Sequence, residues 1–304
     1  MPELPEVHTT SSGLQTVLPG LRITDAWTDY KSAFHAGKDN IKNPSFFKTF
    51  RSHVVGKKVL SVSRVGKNIL IHLEKNLTIL VHMKMTGHLL YGTYARNGRL
   101  WRATTAGPLR DDPFNQWIHF VLTLSNKHHL ALSDMRRFAK VTLLATDTIA
   151  HSKDLAHIGP DPTSPTYTLA LFTQAVRTKP KGRIKSVLMD QALIAGIGNI
   201  YSDEILWRAG IHPATPVGSL SRKALTCIFK AIRPVLTTGV GLGGDSTSDY
   251  RDIHGNKGSF QGAHRAYQRT GERCVKRGCA GTIARIVISG RSAHFCTKHQ
   301  KLLQ

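Results

Sequence analysis

Hydrophobic residues follow two different rhythms along this chain. From about residue 20 to 145, short apolar runs recur: KKVLSVSRV, NILIHLE, LTILVHM, WIHFVLTL, HLALSDM and AKVTLLA. They are rich in Val, Ile and Leu, and Gly, Asn and Lys turns separate them. This predicts many short strands packed as a sandwich or barrel. Among them, residues 93–116 (TYARNGRLWRATTAGPLRDDPFNQ) are polar and broken by Gly and Pro, which predicts a long loop. From about 167 to 240 the period becomes helical, in YTLALFTQAVRT, RIKSVLMDQ, YSDEILWRAG and SRKALTCIFKAIRPVLTTG. Residues 146–166, with GPDPTSPT, read as a linker. Residues 241–267, rich in Gly, Ser and Asp, read as a mobile loop, and 268–304 as a small cysteine-bearing hairpin.

The first residues, MPELPEV, precede any periodic pattern. Pro5 suits a first helical turn, where its missing N–H costs nothing, and Glu6 complements the helix dipole. Val7, Leu14, Val17 and Leu18 then form an apolar helix face. That account leaves Pro2 and Glu3 without a purpose. The layout is an α+β multidomain chain: a β-rich N-terminal domain over 1–145, a linker over 146–166, a helical domain with its glycine-rich loop over 167–264, and a terminal hairpin over 265–304.

Charge adds a partner to this picture. The 304 residues hold 42 Lys and Arg against 19 Asp and Glu, a formal +23. Residues 251–304 alone carry eleven basic and two acidic residues. Such an excess points to a polyanion, with nucleic acid favoured. No apolar run approaches the ~20 residues that cross a bilayer, so no membrane partner is expected. The first twenty residues hold two Glu and no Lys or Arg, unlike a secretory signal. Three of the four cysteines crowd into the last stretch, which suits a metal site better than a disulfide framework and implies a reducing, cytoplasmic setting.

The cysteine spacing is Cys274-x4-Cys279-x16-Cys296-x2-His299. Thiolates and an imidazole so spaced suit tetrahedral zinc, and four protein ligands close the shell, making one structural ion. The interval AGTIARIVISGRSAHF reads as strand, turn and strand, which brings the ligand pairs to one end of a hairpin. Arg291, at the opposite tip, is unexplained by metal binding; its paired donors could clamp a phosphate. Upstream, ALIAGIGN places Gly196 and Gly198 between two helical stretches, where exposed N–H groups could also hold a phosphate.

Four stretches now carry a resemblance: MPELPEV, GIGNIYSDEILWRAGIHP, GGDSTSDYRDIHGNKGSFQ and the hairpin ending GRSAHFC. In this order, spanning nearly the whole chain, they resemble the formamidopyrimidine-DNA glycosylase/endonuclease VIII superfamily of bacterial base-excision repair enzymes. The resemblance implies an N-terminal β-sandwich with an N-terminal helix, a helix–two-turn–helix domain and a C-terminal zinc-finger β-hairpin, with damaged double-stranded DNA bound between domains by a monomer. It makes Pro2 the nucleophile. With Met1 removed, Pro2 presents a secondary amine whose ordinary pKa, ~7.7–8.0, leaves a neutral fraction near pH 7. Glu3 would move protons as the sugar ring opens, Glu6 would be the second acidic residue of the site, and Lys67 would contact the lesion phosphates. Asn199, Tyr201 and Arg291 match phosphate contacts. Met85, Arg136 and Phe138 match the trio that fills the hole left by an everted nucleotide. His82 and Lys185 complete the candidate DNA contacts.

PELPEV and the Met–Arg–Phe pattern favour the branch acting on oxidised purines such as 8-oxoguanine and on abasic sites. The glycine-rich loop after Gly243 would be its base-capping loop. Several positions depart from the pattern: His8, Ser11 and Ser12 replace an acidic residue and arginines, the first cysteines are separated by four residues, His299 ends the metal set, and the 93–116 segment is long. An endonuclease VIII-like preference for oxidised pyrimidines and a non-catalytic damage binder stand as alternatives.

Overall fold

Helix α1 (Leu4–Val17) opens the first of two units into which the chain divides. The computed structural model describes residues 1–303. The first unit is Met1–Ala156 with Leu242–Ser259, and the second is His157–Gly241 with the chain from Phe260 onward.

In the first unit, Glu3 is the extended N-cap of α1. Its side chain and that of Glu6 form a reciprocal capping box, and Pro5 lies in the first turn. Val7, Leu14 and Leu18 are buried in the core as their spacing requires; Val17 is only partly covered. Two antiparallel four-stranded sheets follow. One is ordered β1 (Ile23–Thr28), β8 (Ile118–Leu124), β9 (His129–Ser133), β5 (His88–Gly92). The other is ordered β10 (Lys140–Ala145), β4 (Leu77–His82), β3 (Asn68–Leu73), β2 (Val59–Val65). Ile69, Ile71, Ile79, Phe120, Leu122 and Leu132 meet in their shared core, so the sandwich expectation holds. Register places Asn68 and Lys140 on either side of His82, gathering the polar ends of three strands at one edge.

Two segments differ from the sequence expectation. Helix α2 (Pro44–Val54) stands in a region read as strands. Asn43 caps it through Ser45 N–H at 3.2 Å, and Phe50 and Val54, four apart, bury together. The 93–116 segment, expected as a loop, folds into a hairpin of β6 (Tyr94–Asn97) and β7 (Leu100–Ala103), a one-turn helix α3 (Pro108–Asp111) and a 3-10 turn at Pro113–Gln116. Tyr94 and Ala103 anchor it in a small apolar cluster with Trp27, Trp101 and Leu109.

The second unit holds α4 (Leu169–Arg177), α5 (Ile184–Leu188), α6 (Asn199–Ala209), α7 (Arg222–Gly241) and the antiparallel hairpin β11 (Ile283–Ile288)–β12 (Arg291–Cys296). Asp203 of α6, fully buried, joins three elements. It accepts from Lys185 Nζ at 2.7 Å, from His294 N–H at 2.9 Å and pairs with His294 Nδ1 at 2.8 Å. Glu204 beside it accepts the backbone N–H groups of Arg265, Ala266 and Tyr267, fixing the chain's entry to the hairpin module. Among the described residues no helix is long and apolar enough to cross a membrane.

The 242–259 segment packs with the sandwich, whereas the sequence reading grouped it with the helices. The cause is a set of side-chain and backbone bonds that sequence distance hides. Asp245 N–H donates to Glu6, Tyr91 N–H to Ile253 O at 2.7 Å, and Asn115 Nδ2 to Gly255 O at 3.2 Å.

Candidate active site and nucleic-acid interface

Pro2 is buried directly ahead of α1. The next residue, Glu3, is buried too, and its N–H donates to Glu6 Oε2 at 2.7 Å. The other oxygen of Glu6 accepts the Asp245 N–H at 2.7 Å, and the Glu6 carbonyl accepts the Tyr250 hydroxyl at 3.0 Å. Gly244, with φ +85°, passes so close that a Cβ there would lie 2.8 Å from Glu6 Cγ. Glycine is therefore required both by the left-handed backbone and by the approach. Burial holds the Tyr250 phenol far above its ordinary pKa, so it stays a neutral donor. One carboxylate thus ties the chain's first residues to the glycine-rich segment.

Lys67 is buried in the turn between β2 and β3, and β2 and β3 pack against α1. His82 closes β4 at the same strand edge. Burial first, then the charges of Lys84 and Lys67, depress its pKa to about 3, so the ring is neutral and its Nδ1 accepts from Lys84 N–H at 3.0 Å.

Met85 and the Arg136–Phe138 pair sit on two turns that Asp134 holds together. The buried Asp134 carboxylate accepts from Thr86 Oγ1 at 2.5 Å, from Ala139 N–H at 2.7 Å and from the Tyr30 hydroxyl at 3.2 Å. Thr86 Oγ1 in turn accepts the Arg136 N–H at 3.1 Å. On this mount Met85 is half-buried, while Arg136 and Phe138 are exposed. Phe138 keeps 49% of its surface in solvent, with the Arg136 guanidinium stacked 4.6 Å from its ring centre. An exposed apolar ring on a hydrogen-bonded turn can act as a wedge with a rigid base. Met135, 44% exposed beside them, was not singled out from sequence. Its only signal is adjacency to the pattern.

In the second unit, Asn199 is the first residue of α6. Its Oδ1 is buried without a hydrogen-bond partner, in a turn whose backbone Gln191 braces through Gly196 N–H and Ile197 O. Arg291 is exposed at the hairpin tip, and Ser289 in that tip bonds Ser186 of the short helix α5 at 3.1 Å. Two expectations are corrected by burial. Lys185 has 1% side-chain exposure and its ammonium is spent on Asp203, Ser202 and the Asn199 carbonyl, so it braces the turn instead of meeting DNA. Tyr201 is fully buried, stacked 4.8 Å from Phe260, and packs the same turn. The acidic residue in YSDEI that organises this network, Asp203, escaped sequence reading because an isolated Asp looks solvated until its partners fold around it.

Cys274, Cys279, Cys296 and His299 converge as expected. Their ligand atoms all lie within 4.8 Å of one another, with Cys279 and Cys296 Sγ 3.5 Å apart and His299 Nδ1 3.5–3.6 Å from Cys274 and Cys279 Sγ. Edges of about 3.3–3.8 Å are those of a tetrahedron with metal–ligand bonds of ~2.0–2.3 Å. His299 Nε2 faces the Trp207 carbonyl at 3.1 Å, which orients Nδ1 to the thiols. Gly281 comes so close that a Cβ would be 2.4 Å from Cys296 Sγ. This set can hold one metal ion.

Residues 1–141 match the family model described as formamidopyrimidine-DNA glycosylase N-terminal domain, and residues 158–251 match formamidopyrimidine-DNA glycosylase H2TH domain. The chain belongs to the formamidopyrimidine-DNA glycosylase family. A family member from Pelotomaculum thermopropionicum is 34% identical over 302 residues, covering 99% of this chain and 100% of that protein. Among solved structures of the family, the complex between Lactococcus lactis Fpg and DNA containing an abasic site aligns with a TM-score of 0.81 at 27% identity, covering 98% of this chain and 99% of that one. MutM in complex with DNA containing carbocyclic 8-oxo-G aligns with a TM-score of 0.81 at 28% identity, covering 99% and 100%.

Proposed function

We propose that the protein is a bifunctional DNA glycosylase and abasic-site lyase that removes oxidised purines, 8-oxoguanine and formamidopyrimidines, from double-stranded DNA. The observation that carries this reading is the Glu3–Glu6 capping box, which holds the residue after Pro2 by its backbone N–H and so presents the chain's first amine at a fixed place.

The reaction needs Met1 removed. The Pro2 nitrogen then attacks C1′ of the damaged nucleotide, the glycosidic bond breaks, and the base departs with its electron pair and a proton. The ring-opened sugar is left joined to Pro2 as an iminium. That cation acidifies the C2′ proton, so loss of the 3′ phosphate and then the 5′ phosphate follows by successive eliminations. Water hydrolyses the iminium and restores the amine. Glu3 is the proton carrier nearest this nitrogen in the chain, protonating the sugar ring oxygen as it opens. Glu6 holds the helix start and the capping segment, and Lys67 binds a lesion phosphate.

Extrusion of the damaged nucleotide leaves a gap in the stack. Phe138 and Met85 supply apolar groups to fill it, and Arg136 supplies donors to the orphaned base. Asn199 and Arg291 bind backbone phosphate, and the neutral His82 adds a hydrogen-bonding group beside Lys67. The cysteine–histidine set holds one zinc ion, which is structural because its four protein ligands leave no open position. The site of action is DNA in the cytoplasm.

The test is borohydride trapping on duplex DNA with 8-oxoguanine opposite cytosine. The mature protein should form a covalent adduct through residue 2, and protein whose Pro2 nitrogen is blocked by a retained residue should not. Trapping that survives the blocked nitrogen excludes this chemistry, and faster excision of thymine glycol than of 8-oxoguanine excludes the purine assignment.

A further inference from the structure

The 93–116 segment, long for the family pattern, closes one side of a cavity of about 460 Å³ in the first unit. Its walls combine aromatic rings with guanidinium groups. Trp117 is 47% exposed there, and Trp101 lies against Trp27 at a tilt of 57°, with ring centres 5.7 Å apart. Arg99 and Arg102 of the β6–β7 hairpin are exposed on the rim. Arg137 lines the third side. Against these three cations stands one carboxylate, Asp29, which already accepts from His119 Nδ1 at 2.9 Å and Arg137 Nη2 at 3.3 Å.

The cavity adjoins the turn that carries Arg136 and Phe138. Arg137, on its wall, stands between them in the chain, and the Trp117 carbonyl accepts the N–H of Asp134 at 2.8 Å. A strand that passes Arg136 and the Phe138 ring therefore runs close to this pocket. On the reading given above, Arg136 faces the base opposite the lesion, so that strand is the undamaged one.

We propose that this cavity binds the undamaged DNA strand beside the nucleotide opposite the lesion, with backbone phosphate on Arg99, Arg102 and Arg137 and a nucleobase against Trp117. Flat rings next to clustered guanidinium groups are the combination that holds unpaired nucleotides without reading their sequence. The net positive rim suits phosphate. The proposal rests on the functional reading above and extends the DNA contact to a surface built by this chain's own long segment.

The test measures equilibrium binding to a duplex carrying a tetrahydrofuran abasic analogue. Two variants, the double substitution Arg99→Ala with Arg102→Ala and the single substitution Trp117→Ala, are compared with wild type. Each should raise Kd roughly tenfold, as loss of a stacked base or two phosphate contacts does. The arginine pair should also flatten the slope of log K against log salt by roughly 2. Trp117→Phe, which keeps a ring, should bind within about twofold of wild type. The second arm keeps the nucleotide opposite the lesion and ends the undamaged strand directly after it, on one side and then on the other. On the side that reaches the pocket, wild type should lose the same affinity, and the variants should lose nothing further. Variants that bind the full duplex as wild type does, or that lose as much affinity on the shortened one, overturn the proposal. Borohydride trapping by the wild-type preparation is run alongside. Its failure would remove the catalytic reading, while the two binding arms judge the pocket by themselves.

Discussion

The carboxylate of Glu6 accepts the Asp245 N–H at 2.7 Å, across 239 positions of sequence. Its second oxygen holds the Glu3 N–H, so the order of the glycine-rich segment and the position of the N-terminus share one side chain. Glu6→Gln keeps one acceptor oxygen but turns an NH2 toward a backbone N–H. A buried donor left without an acceptor costs about 1–3 kcal/mol. The variant should lose that much stability in urea melts and show a single-turnover excision rate at least about tenfold lower. An unchanged rate would show that the link is purely structural.

Retention of Met1 makes the Pro2 nitrogen an amide, which is no nucleophile. A preparation carrying an uncleaved residue ahead of Pro2 should still bind abasic duplex DNA but form no borohydride adduct. Intact-mass measurement of the N-terminus, paired with trapping, checks this directly.

Asp203 and Lys185 are both almost completely buried and lie 2.7 Å apart. Asp203→Asn leaves a buried ammonium without its counter-ion, and such losses run to about 3–5 kcal/mol. Chemical denaturation should show that drop. Adding Lys185→Met should recover much of it, because removing both charges removes the desolvation penalty as well. DNA affinity of the double variant should stay close to wild type, since Lys185 reaches no solvent.

His88 is buried against Asn115, with its Nε2 3.0 Å from Asn115 Oδ1, and burial pushes its pKa down to about 4. Its ordinary value is ~6.5. Above that value neither state carries the proton, so His88 adds no pH dependence. Below it the unfolded chain takes up a proton that the folded chain refuses. Stability therefore falls as pH drops from about 6.5 to about 4, by up to ~1.4 kcal/mol per pH unit. Urea midpoints between pH 7 and 4.5 should decline for wild type and decline less for His88→Gln.

The metal set predicts about one zinc per chain, released by a strong chelator with loss of the hairpin's order. His299→Cys keeps four ligands and should retain zinc, whereas His299→Ala should lose it. Atomic absorption and proton NMR of the hairpin residues distinguish the two.

Several features were legible in the residues because their causes are local. Strand alternation, the place of Pro5 in the first turn of α1, and the cysteine spacing each depend on neighbours within one hairpin or one turn. The 93–116 segment was misread for the opposite reason. Its hairpin is polar outside and buries only Tyr94, Ala103 and parts of Trp101 and Leu109, so no periodicity announced it. Helix α2 was missed because its buried pair, Phe50 and Val54, is too small a signal in a basic stretch.

Sequence by itself determined the chemistry available to this protein: a proline and glutamate at the start of the chain, a wedge pattern, a tetrahedral ligand set and a strong positive charge. Tertiary structure alone decided which of those groups are exposed and which are braces. Tyr201 shares a motif with Asn199, and Lys185 lies shortly before it, yet burial spends Lys185 on Asp203 and Tyr201 on Phe260. Glu6 gains its role only when a segment more than two hundred residues away closes on it. The physical reason is that a charge or a ring acquires its function from desolvation and partners, and those belong to contacts between distant residues. In the same way, MPELPEV is a helix start by local rules, and the fold turns it into the mount for the chain's first amine.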